Sequence, residues 1–279
     1  MSIKHDFSAQ AVAAALANFT PEPLRTFDSA RQAMIFSLGI LDLTTLEGAD
    51  TVQKVEALCG KASGYRPKGL PNVAAVCVYP VFARQVRSLL KDTDIRTACV
   101  AGAFPAGQSP IHIKVAEVKY AVEEGAEEID MVISRGKFLE GRFGEVADEI
   151  SAIKEACGNA HLKVILETGE LNSLPAIYDA SMMAMKAGGD FVKTSTGKVN
   201  PAATPEAAYA MLLAIRDYFE ATGKYAGFKP AGGISTPEQA LVYVKLVESI
   251  LGPEWLNNKL FRIGASRLAD NLAAELMKS

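Results

Sequence analysis

The feature that most constrains the fold of this chain is a regular alternation of short apolar runs with longer helical patterns. Eight runs rich in valine and isoleucine have the length of strands. They span residues 38–45, 72–80, 95–105, 127–134, 161–170, 190–197, 225–233 and 261–266. Strands that alternate with helices indicate βαβ units with parallel strands. Eight such units close into a (β/α)8 TIM barrel, and a chain of 279 residues suits that α/β fold.

Several of the intervening helices carry boundary signals. Thr204 and Thr236 are each followed by proline, so each predicts a helix N-terminus with proline at the first helical position. Gly223 is placed to end the first of these helices, and Gly125 is placed to end the helical pattern that begins at residue 111. These signals support helices between the predicted strands.

The chain reads as a single barrel domain at residues 38–279 with an N-terminal helical extension at residues 1–37. We expect the extension to close the lower end of the barrel. No Gly/Ser-rich or Pro-rich linker marks a second domain. The alternative is an open, doubly wound sheet, but the GxGxxG turn that often accompanies a dinucleotide-binding sheet is absent.

Composition excludes several functional classes. The chain is 49% hydrophobic and 22% charged with a formal net charge of −3, which is ordinary for a globular protein and gives no reason to expect nucleic acid. We expect no membrane span and no secretory signal, because no apolar run is long enough. The four cysteines form no CxxC pair, so the sequence predicts neither a zinc cluster nor disulfides and favours a cytoplasmic location.

Five ionisable residues stand late in the predicted strands, at the end where a TIM barrel carries its chemistry. They are Asp42, Asp130, Glu167, Lys193 and Lys229. Any one of them has an ordinary explanation, because lysines near strand ends reach solvent and aspartates cap helices. Five at one end of one barrel instead indicate an active site in which opposite charges make burial tolerable.

Two lysines on adjacent strands suggest Schiff-base chemistry. An ordinary lysine, with a pKa of about 10.4, is protonated at neutral pH and is not a nucleophile. A neighbouring ammonium group or an apolar pocket favours the neutral amine, which attacks carbonyl carbons. Lys193 and Lys229 would lie side by side, one as nucleophile and the other lowering its pKa. Asp130 could then pair with the second lysine and transfer protons.

Glycine turns after three consecutive strands predict a phosphate site. Glycines let backbone N–H groups approach an anion, and a helix N-terminus favours negative charge. The residues concerned are Gly197, Lys198, Gly232, Gly233, Gly264 and Ser266. A P-loop is excluded because Lys198 is followed by valine.

Six segments together resemble the deoxyribose-phosphate aldolase family, in the order that the family has them. They are "LDLTTL", "EEIDMV", "LKVILETGEL", "DFVKTSTGK", "GFKPAGG" and "RIGAS". The resemblance implies a class I aldolase on a TIM barrel that needs neither metal nor cofactor. It further implies a phosphosugar substrate, 2-deoxy-D-ribose 5-phosphate, cleaved reversibly to D-glyceraldehyde 3-phosphate and acetaldehyde. A homo-oligomer, either dimer or tetramer, is also typical of the family.

The resemblance also implies individual roles. Lys193 would form the Schiff base, Lys229 would perturb it, and Asp130 would relay protons. Substrate-binding residues would be Asp42, Thr44, Thr196, Gly197, Lys198, Gly232, Gly233 and Ser266. Two features depart from the family pattern: Arg267 occupies the place of a second serine, and the terminal segment "AAELMKS" lacks a tyrosine that assists proton transfer in bacterial members.

Three other functions could use some of the same residues. A metal-dependent aldolase needs a cluster of histidine and carboxylate ligands, but the three histidines are scattered at positions 5, 112 and 161. A phosphosugar isomerase could use Glu167 as its base but would want a histidine beside it. A non-catalytic phosphate-binding barrel would keep the glycine turns and have no use for Lys193.

Overall fold

The computed structural model describes residues 5–17 and 24–278, and within them the eight predicted strands form one parallel sheet. The strands are β1 (Leu41–Thr44), β2 (Ala75–Val78), β3 (Arg96–Ala101), β4 (Glu128–Val132), β5 (His161–Ile165), β6 (Phe191–Lys193), β7 (Gly227–Lys229) and β8 (Ile263–Ala265). Their order is β7-β6-β5-β4-β3-β2-β1-β8. Parallel bridges from Phe228 to Phe261 and from Ala231 to Gly264 join the two ends. The TIM barrel is confirmed, and the open doubly wound sheet is wrong.

Helices alternate with the strands and cover the outside of the barrel. They are α1 (Ala9–Ala17), α2 (Ala30–Gly39), α3 (Val52–Ser63), α4 (Ala83–Leu89), α5 (Ile111–Glu123), α6 (Arg135–Leu139), α7 (Phe143–Cys157), α8 (Leu174–Lys186), α9 (Pro205–Thr222), α10 (Pro237–Leu251) and α11 (Leu268–Leu276). None of the helices in the described ranges is both long and apolar enough to cross a membrane.

The predicted helix boundaries are confirmed. The hydroxyl of Thr204 accepts a hydrogen bond from the third helical residue of α9, and Thr236 forms a complete capping box with Gln239 at the start of α10. Gly223 ends α9 with φ at +68°, and Gly125 follows α5 with φ at +101°. Both glycines adopt left-handed backbone, where a Cβ would cost energy.

The segment before β1 is helical where it is described, but the predicted start of the first strand is wrong by about three residues. Residues 38 and 39 belong to α2, because the backbone of Ile40 still donates to Phe36 in that helix. The helix α2 packs against α10 and α11, and α1 packs against α9. Residues 1–4 and 18–23 of the predicted extension lie outside the described residues, as does Ser279. The division at residue 37 stays a prediction.

The apolar core has two parts. The larger part fills the space between the strands and the surrounding helices. A smaller cluster consists of Leu46, Ala75, Cys77, Ala98 and Val100 and packs inside the barrel against Tyr79 and Phe104. The inside of the barrel is therefore apolar along β2 and β3, and its charged groups come from β1 and from β4 onward.

Candidate active site

Asp130 is the centre of a buried cluster of charged side chains inside the barrel. Its Oδ2 atom lies 2.7 Å from the Nζ of Lys193 and 2.7 Å from the Nζ of Lys229. Its Oδ1 atom lies 3.0 Å from the Nζ of Lys163. Asp130 thus accepts hydrogen bonds from three lysines, so the predicted contact with the second lysine is present and a contact with the first accompanies it.

Strand register explains why these side chains meet. Lys193 and Lys229 are directly paired in the ladder between β6 and β7, so side chains at this level point to the same face. Asp130 is paired with Lys163 between β4 and β5. The two lysines that the sequence places side by side are therefore neighbours, as predicted.

A lower layer of the cluster was missed by sequence reasoning. Glu128, Lys163 and Arg262 are all buried here. Arg262 contacts Asp42 at 2.6 Å and Glu128 at 2.8 Å, and Lys163 also contacts Glu128. The available signal was the two-residue period of a strand: Glu128 stands two positions before Asp130, and so shares its face.

Among the described residues, the buried part of this cluster contains four cations and three carboxylates, and the exposed Arg96 lies 3.7 Å from Glu128 at its edge. The cations are Lys163, Lys193, Lys229 and Arg262, and the carboxylates are Asp42, Glu128 and Asp130. All seven side chains are almost inaccessible to solvent. Because burial disfavours uncompensated charge, one cation in excess is unfavourable.

Lys193 is the cation whose positive charge this cluster stabilises least. Burial lowers the pKa of Lys193 and Lys229 lowers it further, while Asp130 opposes them without overcoming them. For Lys229 the balance is opposite, because Asp130 and Asp42 raise its pKa against the effect of burial. Burial alone would raise the pKa of Asp130, but the three lysines hold it well below its usual range. Lys193 is therefore the lysine whose neutral amine is favoured.

A cleft of about 650 Å³ opens above this cluster at the carboxyl ends of the strands, and Lys193 is part of its lining. Lys229, Asp130 and Asp42 lie beneath it and are buried. The remaining predicted substrate-binding residues line the cleft: Thr44, Thr196, Gly197, Lys198, Gly232, Gly233 and Ser266. The structure thus brings together the catalytic and substrate-binding residues that the family resemblance implies, whereas Glu167 lies apart from the lysine cluster.

Two glycines in this region are required by close approach. A Cβ at Gly232 would lie 2.7 Å from the Cβ of Ala202, and the residue has φ at +84°. A Cβ at Gly264 would lie 3.1 Å from the Cε of Lys229 and 2.8 Å from the Cβ of Ala231. Gly264 therefore makes room for the second lysine.

Cationic side chains line the mouth of the cleft. Lys198 forms an ion pair with Glu47 at 2.9 Å, which the sequence did not predict. Lys61 pairs with Asp270 at 2.6 Å. Arg267 is exposed at the N-cap of α11, and its guanidinium forms no ion pair within the described residues. It is available to an anion in the cleft.

Glu167 is not part of the lysine cluster. Its carboxylate contacts the guanidinium of Arg135 and the backbone and hydroxyl of Thr196, and its side chain is 0% exposed. Burial raises the pKa of Glu167. None of the three histidines, all of which lie within the described residues, stands beside it. His161 begins β5 at the opposite end of the barrel, His112 lies in the first turn of α5, and His5 pairs with Asp217. This geometry does not favour the isomerase hypothesis.

The interior face of the barrel opposite the lysines carries Cys77. This thiol is buried in the apolar interior cluster, and burial raises its pKa to about 11. The wall of the site formed by β2 and β3 is accordingly neutral and apolar.

Comparison with known proteins finds aldolases among the relatives of this chain. The sequence model of the DeoC/LacD family aldolases matches residues 36–250. A deoxyribose-phosphate aldolase from Homo sapiens is 45% identical over 256 residues, covering 87% of this chain and 80% of that protein. One from Agrobacterium fabrum is 45% identical over 244 residues, covering 87% and 91%. The solved deoxyribose phosphate aldolase of Aeropyrum pernix, described as tetrameric, has a TM-score of 0.72 at 25% identity and covers 98% of this chain and 99% of its own.

Proposed function

The chain belongs to the DeoC/LacD family of aldolases, and on that premise we propose that it cleaves 2-deoxy-D-ribose 5-phosphate to D-glyceraldehyde 3-phosphate and acetaldehyde, reversibly, through a Schiff base on Lys193. The names of the relatives support the substrate. One observation carries the mechanism: Lys193 is the buried lysine of lowered pKa, and it lines the cleft.

The first half of the reaction joins the amine to the sugar. The neutral Nζ of Lys193 attacks the aldehyde carbon C1 of the open-chain sugar and forms a carbinolamine. The hydroxyl then leaves as water, and a protonated imine remains. Because Asp130 accepts hydrogen bonds from both Lys193 and Lys229, it is placed to pass a proton between their nitrogens.

The second half breaks the carbon–carbon bond. The C3 hydroxyl gives its proton to the relay through Asp130, the electrons of the C2–C3 bond move into the imine, and D-glyceraldehyde 3-phosphate departs. The remaining enamine takes a proton at C2, and water hydrolyses the imine to acetaldehyde and the free lysine. Lys229 donates hydrogen bonds to both Asp42 and Asp130, so it holds the two buried carboxylates in position beside Lys193.

The phosphate is proposed to lie at the glycine-lined end of the cleft. Lys198 supplies positive charge there, the turn at Gly232 and Gly233 supplies backbone N–H groups, and the first turn of α11 after Ser266 supplies more. Arg267→Ser removes the guanidinium at this end. We expect it to raise KM for the phosphorylated sugar several-fold, because an exposed pair of opposite charges contributes up to about 1 kcal/mol. An equal change with unphosphorylated deoxyribose would contradict this role.

Reductive trapping tests the Schiff base directly. Acetaldehyde and borohydride should leave one ethyl group on the enzyme, and peptide mapping should find it on Lys193. Lys193→Met should take up no label, whereas Lys198→Ala, altered at the mouth only, should be labelled normally. A label on Lys229 or Lys198 would overturn the assignment. Phosphate binding without any label would favour the non-catalytic barrel.

Assembly and location are further proposals. The relative from Aeropyrum pernix is described as tetrameric, which supports a homo-oligomer here. Light scattering on the purified protein should give the mass of two or four copies, and a monomer at micromolar concentration would refute it. We also propose a cytoplasmic enzyme that needs no cofactor.

A further inference from the structure

We propose that Glu167 is a positioning residue that fixes the β6 loop, residues 194–201, against which the substrate's phosphate binds. Its action would pass through Thr196 to the backbone of Lys198. The inference rests on the proposed function for the identity of the anion, and it adds a residue that the lysine mechanism does not use.

The carboxylate of Glu167 is surrounded by donors. Oε1 accepts from the backbone N–H of Thr196 at 3.2 Å, and Oε2 accepts from the hydroxyl of the same residue. The guanidinium of Arg135 lies 3.1 Å from Oε2. Both oxygens are therefore engaged, and two of the three donors belong to one residue of the β6 loop.

The hydrogen-bond chain continues into the cleft. The hydroxyl of Thr196 donates to Glu167 and accepts from the backbone N–H of Lys198 at 3.1 Å. Thr196, Gly197 and Lys198 all line the cleft, whereas Glu167 does not. Glu167 can thus act on a bound ligand only through the loop that it holds.

The backbone around Glu167 is shaped for this contact. Glu167 is one of only two non-glycine residues with positive φ among those the structure describes, at +57°. The turn that follows it packs tightly on the β6 loop, since a Cβ at Gly169 would lie 2.1 Å from the carbonyl oxygen of Pro201. A left-handed backbone and a fully buried carboxylate are both unfavourable, so a role beyond filling space is needed to account for them.

Glu167→Gln tests the role with little change in size. Glutamine offers one acceptor oxygen, and its NH₂ group would face donors, so the link to Thr196 or Arg135 breaks. We expect kcat/KM for deoxyribose 5-phosphate to fall roughly tenfold or more, and that for unphosphorylated deoxyribose to fall by less than about twofold. The loss should appear mainly in KM, because Lys193 and its partners are untouched.

Glu170→Gln is the matched control. Glu170 also pairs with Arg135, at 3.0 Å, and the substitution makes the same chemical change, but Glu170 has no contact with Thr196. It should leave unchanged the ratio of kcat/KM for deoxyribose 5-phosphate to kcat/KM for deoxyribose. The proposal would be overturned if Glu167→Gln lost kcat/KM equally on both sugars, or if Glu170→Gln lost as much selectivity for the phosphorylated sugar as Glu167→Gln.

Two further measurements separate this proposal from the reaction itself. Calorimetric titration with inorganic phosphate should show weaker binding to Glu167→Gln than to wild type or Glu170→Gln, whereas borohydride trapping of acetaldehyde should be equal in all three. Weakened phosphate binding in a protein that never traps acetaldehyde would refute the reaction and leave the positioning role intact. If Glu167→Gln does not fold, Thr196→Val breaks the same link from the other side and should show the same loss on the phosphorylated sugar.

Discussion

Lys229→Met should move the acidic limb of the pH–rate profile to higher pH, because it removes a cation that lowers the pKa of Lys193. The nitrogens of Lys193 and Lys229 each lie 2.7 Å from Oδ2 of Asp130. At a separation of at most about 5 Å, two unit charges repel by about 3 kcal/mol at an effective dielectric constant of about 20. A difference of about 1.4 kcal/mol is a tenfold change in an equilibrium constant, so the loss of this repulsion should raise the pKa of Lys193 and lower the fraction of neutral amine by up to about 100-fold.

A second effect acts in the same direction. Without Lys229, Oδ2 of Asp130 pairs with Lys193 alone, which favours the ammonium form of Lys193. The cluster then holds three cations and three carboxylates, and no cation is in excess. At neutral pH the rate should fall by up to about 100-fold, and it should recover as pH rises through the new pKa of Lys193.

The assay is the rate of acetaldehyde trapping as a function of pH, with the label measured on intact protein. Lys163→Met is the matched control, since it also removes one buried lysine bound to Asp130, but from Oδ1. The acidic limb of Lys163→Met should move less, because Lys229 and not Lys163 is among the groups that act on the pKa of Lys193. Both variants lose a buried ion-pair partner, at a cost of about 3–5 kcal/mol, so folding must be checked by thermal denaturation first. A folded Lys229→Met whose acidic limb stays in place or moves to lower pH would refute the reasoning.

Other predictions concern stability and the cleft. Lys193→Met should raise the melting temperature at neutral pH, because a lysine whose pKa is lowered in the folded state destabilises folding wherever the unfolded chain is protonated. This gain in melting temperature should vanish as the pH approaches about 10.4, the pKa of an ordinary lysine. A melting temperature at neutral pH that is unchanged or lower would contradict the prediction. Gly232→Ala should weaken inorganic phosphate binding more than Gly233→Ala in calorimetry, since both have positive φ but only Gly232 meets a Cβ at 2.7 Å; equal losses would show that backbone strain alone matters. Lys198→Ala should penalise deoxyribose 5-phosphate and spare deoxyribose in kcat/KM. Glu47→Gln should lower KM for the phosphorylated sugar by up to about fivefold, because it frees that lysine from an exposed ion pair; an unchanged KM would show that the pair is not a competitor.

Much of the fold could be predicted from the sequence because the information is local. A strand buried on both faces needs a short continuous apolar run, and a helix needs a longer periodic one with caps at its ends. Those patterns locate all eight strands, although several predicted runs extend a few residues past the observed strand ends, and they place the capped N-terminal ends of α9 and α10 correctly. The predicted start of β1 lies about three residues too early, because Leu38 is as apolar and as buried in α2 as it would be in a strand.

The upper half of the site can also be predicted from the sequence. Its residues interrupt apolar runs near their carboxyl ends, where parallel strands of a barrel carry their chemistry: Asp42, Asp130, Lys193 and Lys229. The lower half cannot be predicted in this way. Lys163 and Glu128 look like ordinary charges at the beginnings of strands, and Arg262 follows a loop.

The sequence by itself therefore determines the barrel and indicates its candidate reactive residues, because hydrophobic periodicity and the ends of strands are properties of short segments. Only the tertiary structure decides which charges share one interior: Arg262 reaches Asp42 across 220 positions of the chain, and Lys198 reaches Glu47 across 151. The order and register of the strands bring these residues together, and neither can be inferred from a single segment of the sequence. Since the pKa of Lys193 depends on how many cations and carboxylates surround it, the neutral amine on which the proposed chemistry depends is a property of the closed barrel.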